Sequence, residues 1–521
     1  MSSEQQLAGP DLTLGVSLAA LVDGVMLLGH ANGEAVLIVR RRDEVLAMGA
    51  VCTHYGGPLA EGLLDGDHVH CPWHHACFNL RTGEALEAPA LNPVACWRVE
   101  VRGEKAYVTE KVEREPLAPT PNPSRRSGSR PGHIGIIGGG AAGNAAAEML
   151  RREGYDGRIT VIDVDRDSPY DRPNLSKDYL AGNAPEEWIP LRPPGFDEAH
   201  GIDVVRGHVA SFDAKDKRAA LEGGAEHRFD RVLLATGASP IALRVPGADS
   251  PRLHYLRSLA DSRSIVASSA SAKRAIVIGA SFIGLEVAAS LRARGLEVHV
   301  VAPEAVPFEK ILGAELGKFV KALHEEHGVV FHLQHTAASI TADGIVLDDG
   351  TALGGNLIVA GIGVRPNVGL AESAGLSMDR GVAVNERLET SAAGVFAAGD
   401  IARWPDAWTG ERIRVEHWVA AERQGQAVAR NLLGAGEPFR SPPFFWSAHY
   451  DVTIAYVGHA SSWDRIDVHG SVEKRDCAVA YQSKGKTLAV ASIFRDDVSL
   501  GAEVAMERGD GEALQSLLAK K

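Results

Sequence analysis

The chain has 521 residues, of which 45% are hydrophobic and 23% are charged, a composition typical of soluble globular proteins with room for about three or four domains. Its formal net charge of −13 argues against nucleic acid as a partner. No apolar run reaches the ~18 residues that a membrane helix needs, and the first residues do not form a signal peptide, so we expect a cytoplasmic protein without a membrane partner.

The first predicted unit, residues 12 to 112, consists of short apolar runs separated by glycine, which predicts a small antiparallel β domain. It contains two ligand motifs, Cys52-Thr-His54 and Cys71-Pro-Trp-His74, and each offers one thiolate and one imidazole. A Rieske [2Fe–2S] centre uses two thiolates on one iron and two imidazoles on the other. A zinc site is the alternative, although zinc fingers usually keep their cysteines in one half and their histidines in the other.

The residues around these ligands, CTHYGGPL and CPWHHACFNLRTGE, resemble Rieske ferredoxins and the Rieske domains of oxygenase systems. High-potential Rieske proteins usually carry an extra cysteine in each loop, and this chain has Gly57 and Trp73 at those places. The resemblance therefore implies a low-potential, ferredoxin-like cluster.

Five cysteines in a chain of this length exclude a disulfide framework and favour a reducing compartment. With Cys52 and Cys71 assigned to iron, we expect Cys77, Cys96 and Cys477 to be small residues of the core. A change of composition follows the β domain, because residues 113 to 132 are rich first in proline and then in serine, arginine and glycine. We expect this segment to be a linker.

The next segment has the pattern of a dinucleotide-binding unit. An apolar strand from His133 runs into Gly138-x-Gly140-x-x-Gly143 and then into an alanine-rich helix. These glycines allow a tight turn, so that a pyrophosphate can lie at the positive end of the helix. The second strand ends in acidic residues, of which Asp165 is expected to bind an adenosine ribose.

The same unit recurs at residues 274 to 304, with the weaker fingerprint Gly279-x-Ser281-x-x-Gly284. Its second strand ends at an alanine, and Glu304 follows two residues later. No arginine in that loop could bind the 2′-phosphate of NADPH. We therefore expect NADH, with NADPH as the less favoured alternative.

Further motifs resemble those of flavoproteins with two dinucleotide domains, one nested in the other: RVLLATGASP (231 to 240) and TSAAGVFAAGD (390 to 400). Other stretches look like the oxygenase-coupled ferredoxin reductases and the apoptosis-inducing-factor-like flavoproteins: PYDRPNLSKDYL, GIGVRPN, EHWVAAERQGQAVARNLL and PFFWSAHYDVTIAYVG. A Rieske domain placed ahead of them is most similar to the Rieske-bearing apoptosis-inducing-factor-like branch, and this resemblance covers nearly the whole chain.

The resemblance implies a multidomain fold: an all-β Rieske domain, two α/β Rossmann-like domains with the NAD domain inserted in the FAD domain, and an α+β C-terminal domain. The expected ranges are a Rieske domain at 1–112, a linker at 113–132, an FAD domain at 133–250 and 365–440, an NAD domain at 251–364, and a C-terminal reductase or dimerisation domain at 441–521.

The resemblance also implies the site residues. Lys177 would lie beside the flavin N5 and pair with Glu286, and Glu416 and Trp418 would line the flavin–nicotinamide site. These four are the expected catalytic residues. The expected FAD and NADH contacts are Gly138, Gly140, Gly143, Asp165, Arg172, Lys177, Ala235, Thr236, Gly237, Asp400, Glu416, His417, Trp418, Gly279, Ser281, Gly284, Glu304 and Gly363. The expected cluster ligands are Cys52, His54, Cys71 and His74.

These features imply an NADH-dependent FAD reductase with its own fused Rieske ferredoxin, which passes electrons to an external oxygenase or cytochrome. The sequence has no C-x-x-C pair, which excludes the dithiol mechanism of disulfide reductases. Two alternatives stay open: an NADH-sensing, apoptosis-inducing-factor-like signalling protein, and an enzyme that acts on a small molecule at the flavin. The resemblance also allows a homodimer.

Overall fold

The structure, a computed structural model, describes residues 7–114 and 130–519. The predicted linker at 113–132 falls largely outside these residues. In the described part of the chain, none of the helices combines the length and the apolar character needed to cross a bilayer.

The N-terminal domain is all β, and both faces of its main sheet are buried. In the strand Glu34–Arg41, Val36 and Ile38 pack into one core cluster, while Leu37 and Val39 pack into another, because alternate residues of a strand point to opposite faces. The antiparallel six-stranded sheet has the spatial order Val16–Ser17, Lys105–Val112, Cys96–Arg102, Glu44–Gly49, Glu34–Arg41 and Met26–Ala31. A four-stranded sheet that carries the ligand loops has the order Leu63–Asp65, His68–His70, Cys77–Asn79 and Ala85–Glu87.

The first dinucleotide unit is built on a parallel sheet that helices cover on its faces. Its strands are apolar on both faces, as expected for a buried parallel sheet. Their order is Ile202–Arg206, Arg158–Asp163, His133–Ile137, Arg231–Leu234 and Val395–Ala397. The first fingerprint helix (Ala141–Arg152) packs against the long helix Trp418–Leu432, and at Gly425 an added Cβ would lie 2.1 Å from the Ala142 carbonyl oxygen.

The second dinucleotide unit repeats this architecture. Its parallel strands have the order Leu253–Tyr255, Leu357–Ala360, Arg274–Ile278, Glu297–Ala302 and Val329–Leu333. Its helices are Leu259–Ser269, the second fingerprint helix (Phe282–Ala293) and Glu309–Glu326.

The C-terminal domain is an antiparallel sheet backed by two helices. The strand order is Phe444–His449, Val452–Gly458, Lys486–Ile493, Asp476–Ser483 and Arg465–Ser471, and the helices are Asp496–Arg508 and Gly511–Ala519. One continuous core cluster joins this sheet to the second dinucleotide unit. The strand Phe444–His449 is thereby held beside the second fingerprint helix.

Shorter elements complete the description. The small sheets comprise Val209–Asp213, Arg218–Leu221 and Glu226–Arg228; Ala238–Pro240 and Val364–Pro366; Ala337–Ile340, Gly344–Leu347 and Ala352–Gly354; and Val382–Ala383, Ala402–Pro405 and Arg412–Ile413. The short α-helices are Asp178–Ala181, Phe196–Ala199 and Gly369–Ser373. The predicted fold class is confirmed, while the domain boundaries stay predictions. Of the three cysteines expected in the core, Cys77 and Cys477 are buried and Cys96 is half-buried.

Candidate functional site

The two ligand loops of the N-terminal domain have the same backbone hydrogen bond. The Cys52 N–H donates to the Gly57 carbonyl, and the Cys71 N–H donates to the Ala76 carbonyl, each at 2.8 Å. Each loop is therefore closed by a hydrogen bond between residues that are five positions apart.

The four predicted cluster ligands meet between these loops. Both cysteines are buried, and the Nδ1 atoms of His54 and His74 lie 3.2 Å apart. Burial lowers the pKa of His54 to about 3 and that of His74 well below its usual value, so both rings are neutral, which is the form that binds a metal. At Gly57 an added Cβ would lie 2.7 Å from the Cys71 Sγ, so this position has no room for a side chain. Two thiols and two neutral imidazoles in this cradle fit a Rieske cluster.

The first dinucleotide unit borders a cavity of about 730 Å³. Gly138 has a φ of +106°, and a Cβ there would lie 2.2 Å from the Ala235 carbonyl oxygen, so the turn requires glycine. The first fingerprint helix begins at Gly140, which has no side chain to cap it, and its first N–H groups stay available to an anion. The predicted residues that line this cavity are Gly138, Gly140, Asp165, Arg172, Ala235, Thr236, Gly237 and Trp418.

A second cavity of about 520 Å³ continues from the first, because Gly140, Arg172, Ala235, Gly237 and Trp418 line both. The other predicted residues that line it are Lys177, Ser281, Glu286, Gly363, Asp400, Glu416 and His417. The Nε atom of Arg172 is buried and finds no hydrogen-bond partner within the described residues, so it is available to a ligand. The two cavities together fit a bound FAD, with its adenosine half in the first and its flavin in the second.

Lys177 and Glu286 come together in the second cavity. The Lys177 Nζ lies 2.8 Å from Glu286 Oε2, although the two residues are 109 positions apart in the chain. The Ser176 hydroxyl donates to the same carboxylate oxygen at 2.6 Å, and the Ser447 hydroxyl donates to Oε1 at 2.7 Å. Glu286 is only 4% exposed and both of its carboxylate oxygens are hydrogen-bonded, while Lys177 is half-buried.

Asp400 has a partner that the sequence did not indicate. The Arg257 Nη2 donates to Asp400 Oδ2 at 2.6 Å, and Arg257 lines both cavities. Burial lowers the pKa of Arg257, but an arginine stays protonated under these conditions. The sequence could not predict this contact, because Arg257 lies in no recognisable motif.

Glu416, His417 and Trp418 stand where the long helix Trp418–Leu432 begins. The Glu416 carboxylate pairs with Arg414, and the His417 ring stacks on Phe445 at 4.3 Å between centroids. Burial lowers the pKa of His417 to about 4, so its ring is neutral.

Two buried carboxyl groups, those of Asp171 and Glu422, carry less charge than is usual for such groups. Burial raises the pKa of Asp171 to about 7 and that of Glu422 well above its usual value. Burial therefore favours the uncharged form of Glu422.

The second dinucleotide unit brings fewer of its predicted residues to a cavity. Gly279, Gly284 and Glu304 do not line either described cavity, and neither does Gly143 of the first unit. Gly143 and Gly284 instead pack the helix against the turn, since an added Cβ would lie 1.8 Å from the Gly138 oxygen or 2.2 Å from the Gly279 oxygen. Glu304 is exposed on the loop after the strand.

The cluster ligands abut the second cavity through one tryptophan. The His74 ring lies 4.2 Å from the Trp446 ring and the His54 ring lies 6.3 Å from it, between centroids. On its other side Trp446 lines the cavity, and the Lys177 Nζ lies 5.8 Å from its ring centroid. Sequence reasoning missed this role, because nothing local relates residue 74 to residue 446.

Further contacts dock the N-terminal domain on the flavoprotein. The Tyr55 ring stacks on His54 at 3.9 Å, and its hydroxyl donates to the carboxylate of Asp171. The Arg423 Nη2 donates to the His75 carbonyl at 2.8 Å. The site is therefore assembled from the cluster domain, both dinucleotide units and the C-terminal domain.

Comparisons with known proteins agree with this arrangement. The profile "Pyridine nucleotide-disulphide oxidoreductase" matches residues 132–425, "Rieske [2Fe-2S] domain" matches 17–98, and "Reductase C-terminal" matches 444–515. Apoptosis-inducing factor 3 of Mus musculus is 33% identical over 513 residues, which cover 95% of this chain and 83% of that protein.

Two reductases match about three quarters of this chain. The anthranilate 1,2-dioxygenase system ferredoxin–NAD(+) reductase component of Burkholderia cepacia is 32% identical over 72% of this chain and 92% of its own length. The crystal structure of the ferredoxin reductase for the CYP199A2 system from Rhodopseudomonas palustris superposes with a TM-score of 0.70 at 33% identity, covering 73% of this chain and 95% of that one. The chain belongs to the pyridine nucleotide-disulphide oxidoreductase family, as an FAD-dependent NAD(P)H oxidoreductase that carries a Rieske [2Fe–2S] domain.

Proposed function

We propose that the protein is an NADH-dependent reductase that delivers electrons to its own Rieske cluster and from there to an external acceptor protein. The observation that carries the proposal is the position of Trp446, between the ring of His74 and the cavity that contains Lys177 and Glu286. FAD, when bound there, converts the two-electron chemistry of NADH into the single electrons that a [2Fe–2S] cluster takes up.

The residues of the cavity support this role in three ways. The ammonium of Lys177 favours an electron-rich reduced flavin, and Glu286 holds that ammonium in place. Asp400 and Arg257 form a polar pair where the two cavities meet, suited to the hydroxyls and phosphates of the cofactor. The His74 ring packs against Trp446, which lines the cavity, so a cluster ligand lies next to the cavity wall.

An oxygenase or a cytochrome is the proposed acceptor. The dioxygenase reductase component from Burkholderia cepacia is 32% identical over 72% of this chain, which supports an acceptor of the oxygenase kind. NADH is the proposed donor, because the loop after the second strand offers Glu304 and no arginine.

A stopped-flow experiment tests the proposal with the full-length, cofactor-loaded protein. NADH should reduce the flavin in wild type and in Cys71→Ala alike, while reduction of cytochrome c, a one-electron acceptor, should collapse in Cys71→Ala. Trp446→Leu should slow cluster reduction and leave flavin reduction by NADH nearly intact. His68→Ala, an exposed histidine of the same domain, and Trp463→Leu, a half-buried tryptophan remote from the cavity, are the matched controls.

An equal loss of both activities in Cys71→Ala would mean that the cluster domain is only structural. A wild-type flavin that NADH does not reduce would exclude the proposal as a whole.

A redox-sensing role is the second candidate, because the similarity to mouse apoptosis-inducing factor 3 extends through the cluster domain. In that case a reduced flavin–nicotinamide complex should persist for long periods in air, and NADH should change the conformation of the protein. Rapid cluster reduction and rapid reoxidation would favour the reductase.

A further inference from the structure

Behind the pair of Lys177 and Glu286, a row of polar side chains leads away from the cavity. The Ser447 hydroxyl bonds Glu286 at 2.7 Å and lies 3.1 Å from His449 Nε2. The Nδ1 of His449 lies 3.1 Å from His324 Nε2. The Nδ1 of His324 lies 3.3 Å from the Tyr450 hydroxyl, so four successive contacts reach from the carboxylate to the tyrosine.

The interior of this row is completely buried, and its far end is not. Ser447, His449 and His324 have no exposed surface, while Tyr450 is half-buried and stacks at 3.6 Å on the exposed ring of His327. The row therefore joins the cavity to the protein surface through a region that excludes bulk water.

The hydrogen bonds of the row determine where each proton lies. An ionised Glu286 can only accept, so Ser447 donates to it and must itself accept from the Nε2–H of His449. A neutral His449 then has a free Nδ1 lone pair, which accepts from the Nε2–H of His324. The Nδ1 of His324 accepts in turn from Tyr450. One tautomer of each ring satisfies every contact, and all donors point towards Glu286.

Burial supports these neutral rings. It lowers the pKa of His449 to about 3, with a further contribution from Lys177, and it lowers the pKa of His324 well below its usual value, with contributions from His449 and His327. Because an imidazolium is disfavoured here, a proton would cross each ring by arriving at one nitrogen while another leaves from the second.

The proposed function requires such a route. Oxidation of one NADH gives NAD⁺, one proton and two electrons, and a [2Fe–2S] cluster held by the four ligands would take the electrons one at a time. The proton remains, and one must reach solvent for each NADH consumed. On the Trp446 side the cavity wall is backed by the His74 ring of the cluster domain.

We propose that Ser447, His449, His324 and Tyr450 form a proton relay between the Lys177–Glu286 pair and solvent. The inference rests on the proposed function of the cavity. Lys177 passes its proton to Glu286 and is recharged from the cavity. Protonated Glu286 then donates to Ser447. Once Ser447 and the two rings have reoriented so that their donors point away from the cavity, each group passes one proton outward, Tyr450 releases one proton to solvent, and the donors are left pointing towards Glu286 as in the resting protein.

A single-turnover experiment tests the relay. The NADH-reduced protein is mixed with ferricyanide in a weakly buffered solution that contains a pH indicator, and flavin reoxidation and proton appearance are recorded together. In His449→Gln the appearance of the proton should slow by about 10²-fold, since glutamine can bond but cannot exchange a proton. Tyr450→Phe removes only the half-buried hydroxyl and should also slow the appearance of the proton. This variant provides the test if His449→Gln does not fold.

The matched control is His299→Gln. His299 is also a buried histidine of the second dinucleotide unit, with His332 Nε2 2.8 Å from its Nδ1, but this pair does not lead to the cavity. His299→Gln should release its proton as fast as wild type.

A second measurement does not depend on turnover. In the resting protein labelled with ¹⁵N-histidine, long-range ¹H–¹⁵N spectra should show His324 and His449 as neutral rings protonated on Nε2, with the signals assigned through the two Gln variants. The relay is overturned if either ring is protonated on Nδ1 alone or on both nitrogens, or if a folded His449→Gln releases its proton at the wild-type rate. A wild-type flavin that NADH cannot reduce would contradict the proposed function instead.

Discussion

The two dinucleotide-binding units share the geometry of their turns. Gly138 and Gly279, the first glycine of each fingerprint, both have a φ of +106°. The third glycine packs the helix on the turn in each unit, because a Cβ at Gly143 would lie 1.8 Å from the Gly138 oxygen and one at Gly284 would lie 2.2 Å from the Gly279 oxygen. The two turns are therefore close copies of each other.

The units differ where the fingerprint helix begins. The first helix begins at Gly140, whereas the second begins at Ser281, whose hydroxyl accepts from the Gly284 N–H at 3.1 Å and donates to the Gly361 carbonyl at 2.7 Å. The first unit leaves its N–H groups to the ligand, and the second has already satisfied one of them. This difference suits a cofactor that stays bound in the first unit and a nicotinamide that must leave after each turnover.

The largest expected effect on activity comes from adding a Cβ to the third glycine of each fingerprint, in one unit at a time. Gly143→Ala should yield protein without FAD, because the helix must move away from the turn, and the displacement should cost about 1–3 kcal/mol of stability. Gly284→Ala should retain FAD and lose reduction by NADH. Absorbance of the purified flavin and stopped-flow reduction check the two outcomes. Gly354→Ala, where a Cβ meets its neighbours at 3.7 Å or more, is the control.

The next effect concerns the ion pair that links the units, since Lys177 lies in the first unit and Glu286 lies on the second fingerprint helix. Glu286→Gln should destabilise the protein by about 3–5 kcal/mol and raise the flavin potential, because it leaves a half-buried ammonium without its counter-charge. Lys177→Ala should lower the potential. The double variant should recover part of both losses.

Redox titration and thermal unfolding of the four proteins test this coupling, with Lys321→Ala, from an exposed pair with Glu325, as the control. Strictly additive shifts would contradict it.

A smaller effect is expected at the loop that follows the second strand of the second unit, where Glu304 lies. The wild type should have a higher kcat/KM for NADH than for NADPH, since Glu304 repels a 2′-phosphate. Because Glu304 is exposed, Glu304→Arg should reduce the ratio of the two values by only about fivefold. Glu309→Arg, at the start of the next helix, should leave the ratio unchanged. A wild type that prefers NADPH would show that this assignment is wrong.

The smallest effect tests the difference at the helix start. Ser281→Gly makes the second fingerprint identical in its glycines to the first and frees the Gly284 N–H. The Kd for NAD⁺ should tighten by about twofold, while helix stability falls by a few tenths of a kcal/mol. Titration of NAD⁺ against the oxidised protein measures the change, and Ser271→Gly, at an exposed serine of the same unit, is the control. Unchanged or weaker binding of NAD⁺ would contradict the proposed effect of the Ser281 cap.

The sequence predicted what depends on neighbours in the chain. Strand–turn–helix patterns and the spacing within Cys52-Thr-His54 are local, so they were enough to indicate the β domain, the two dinucleotide units and the cluster ligands, while the resemblance to known families implied the rest of the fold. Contacts between distant segments could not be predicted unless family motifs contained both partners, as they did for Lys177 and Glu286. Arg257 beside Asp400 had no such motif.

The contact of His74 with Trp446 and the pairing of His324 with His449 were missed for the same reason. Each depends on how the domains pack, and packing is decided by many weak contacts spread over the chain. The residues that the comparisons leave untested, including every cofactor contact, stay predictions.

The docking of His74 against Trp446 within one chain has a consequence for reaction order. Where a reductase and its ferredoxin are separate molecules, each electron waits for a collision, and the rate falls when the proteins are diluted or when salt screens their attraction. In the proposed function donor and first acceptor travel together, so cluster reduction should be a unimolecular event. Its rate constant should be the same at nanomolar and micromolar protein, and only the final step to the external acceptor should depend on concentration.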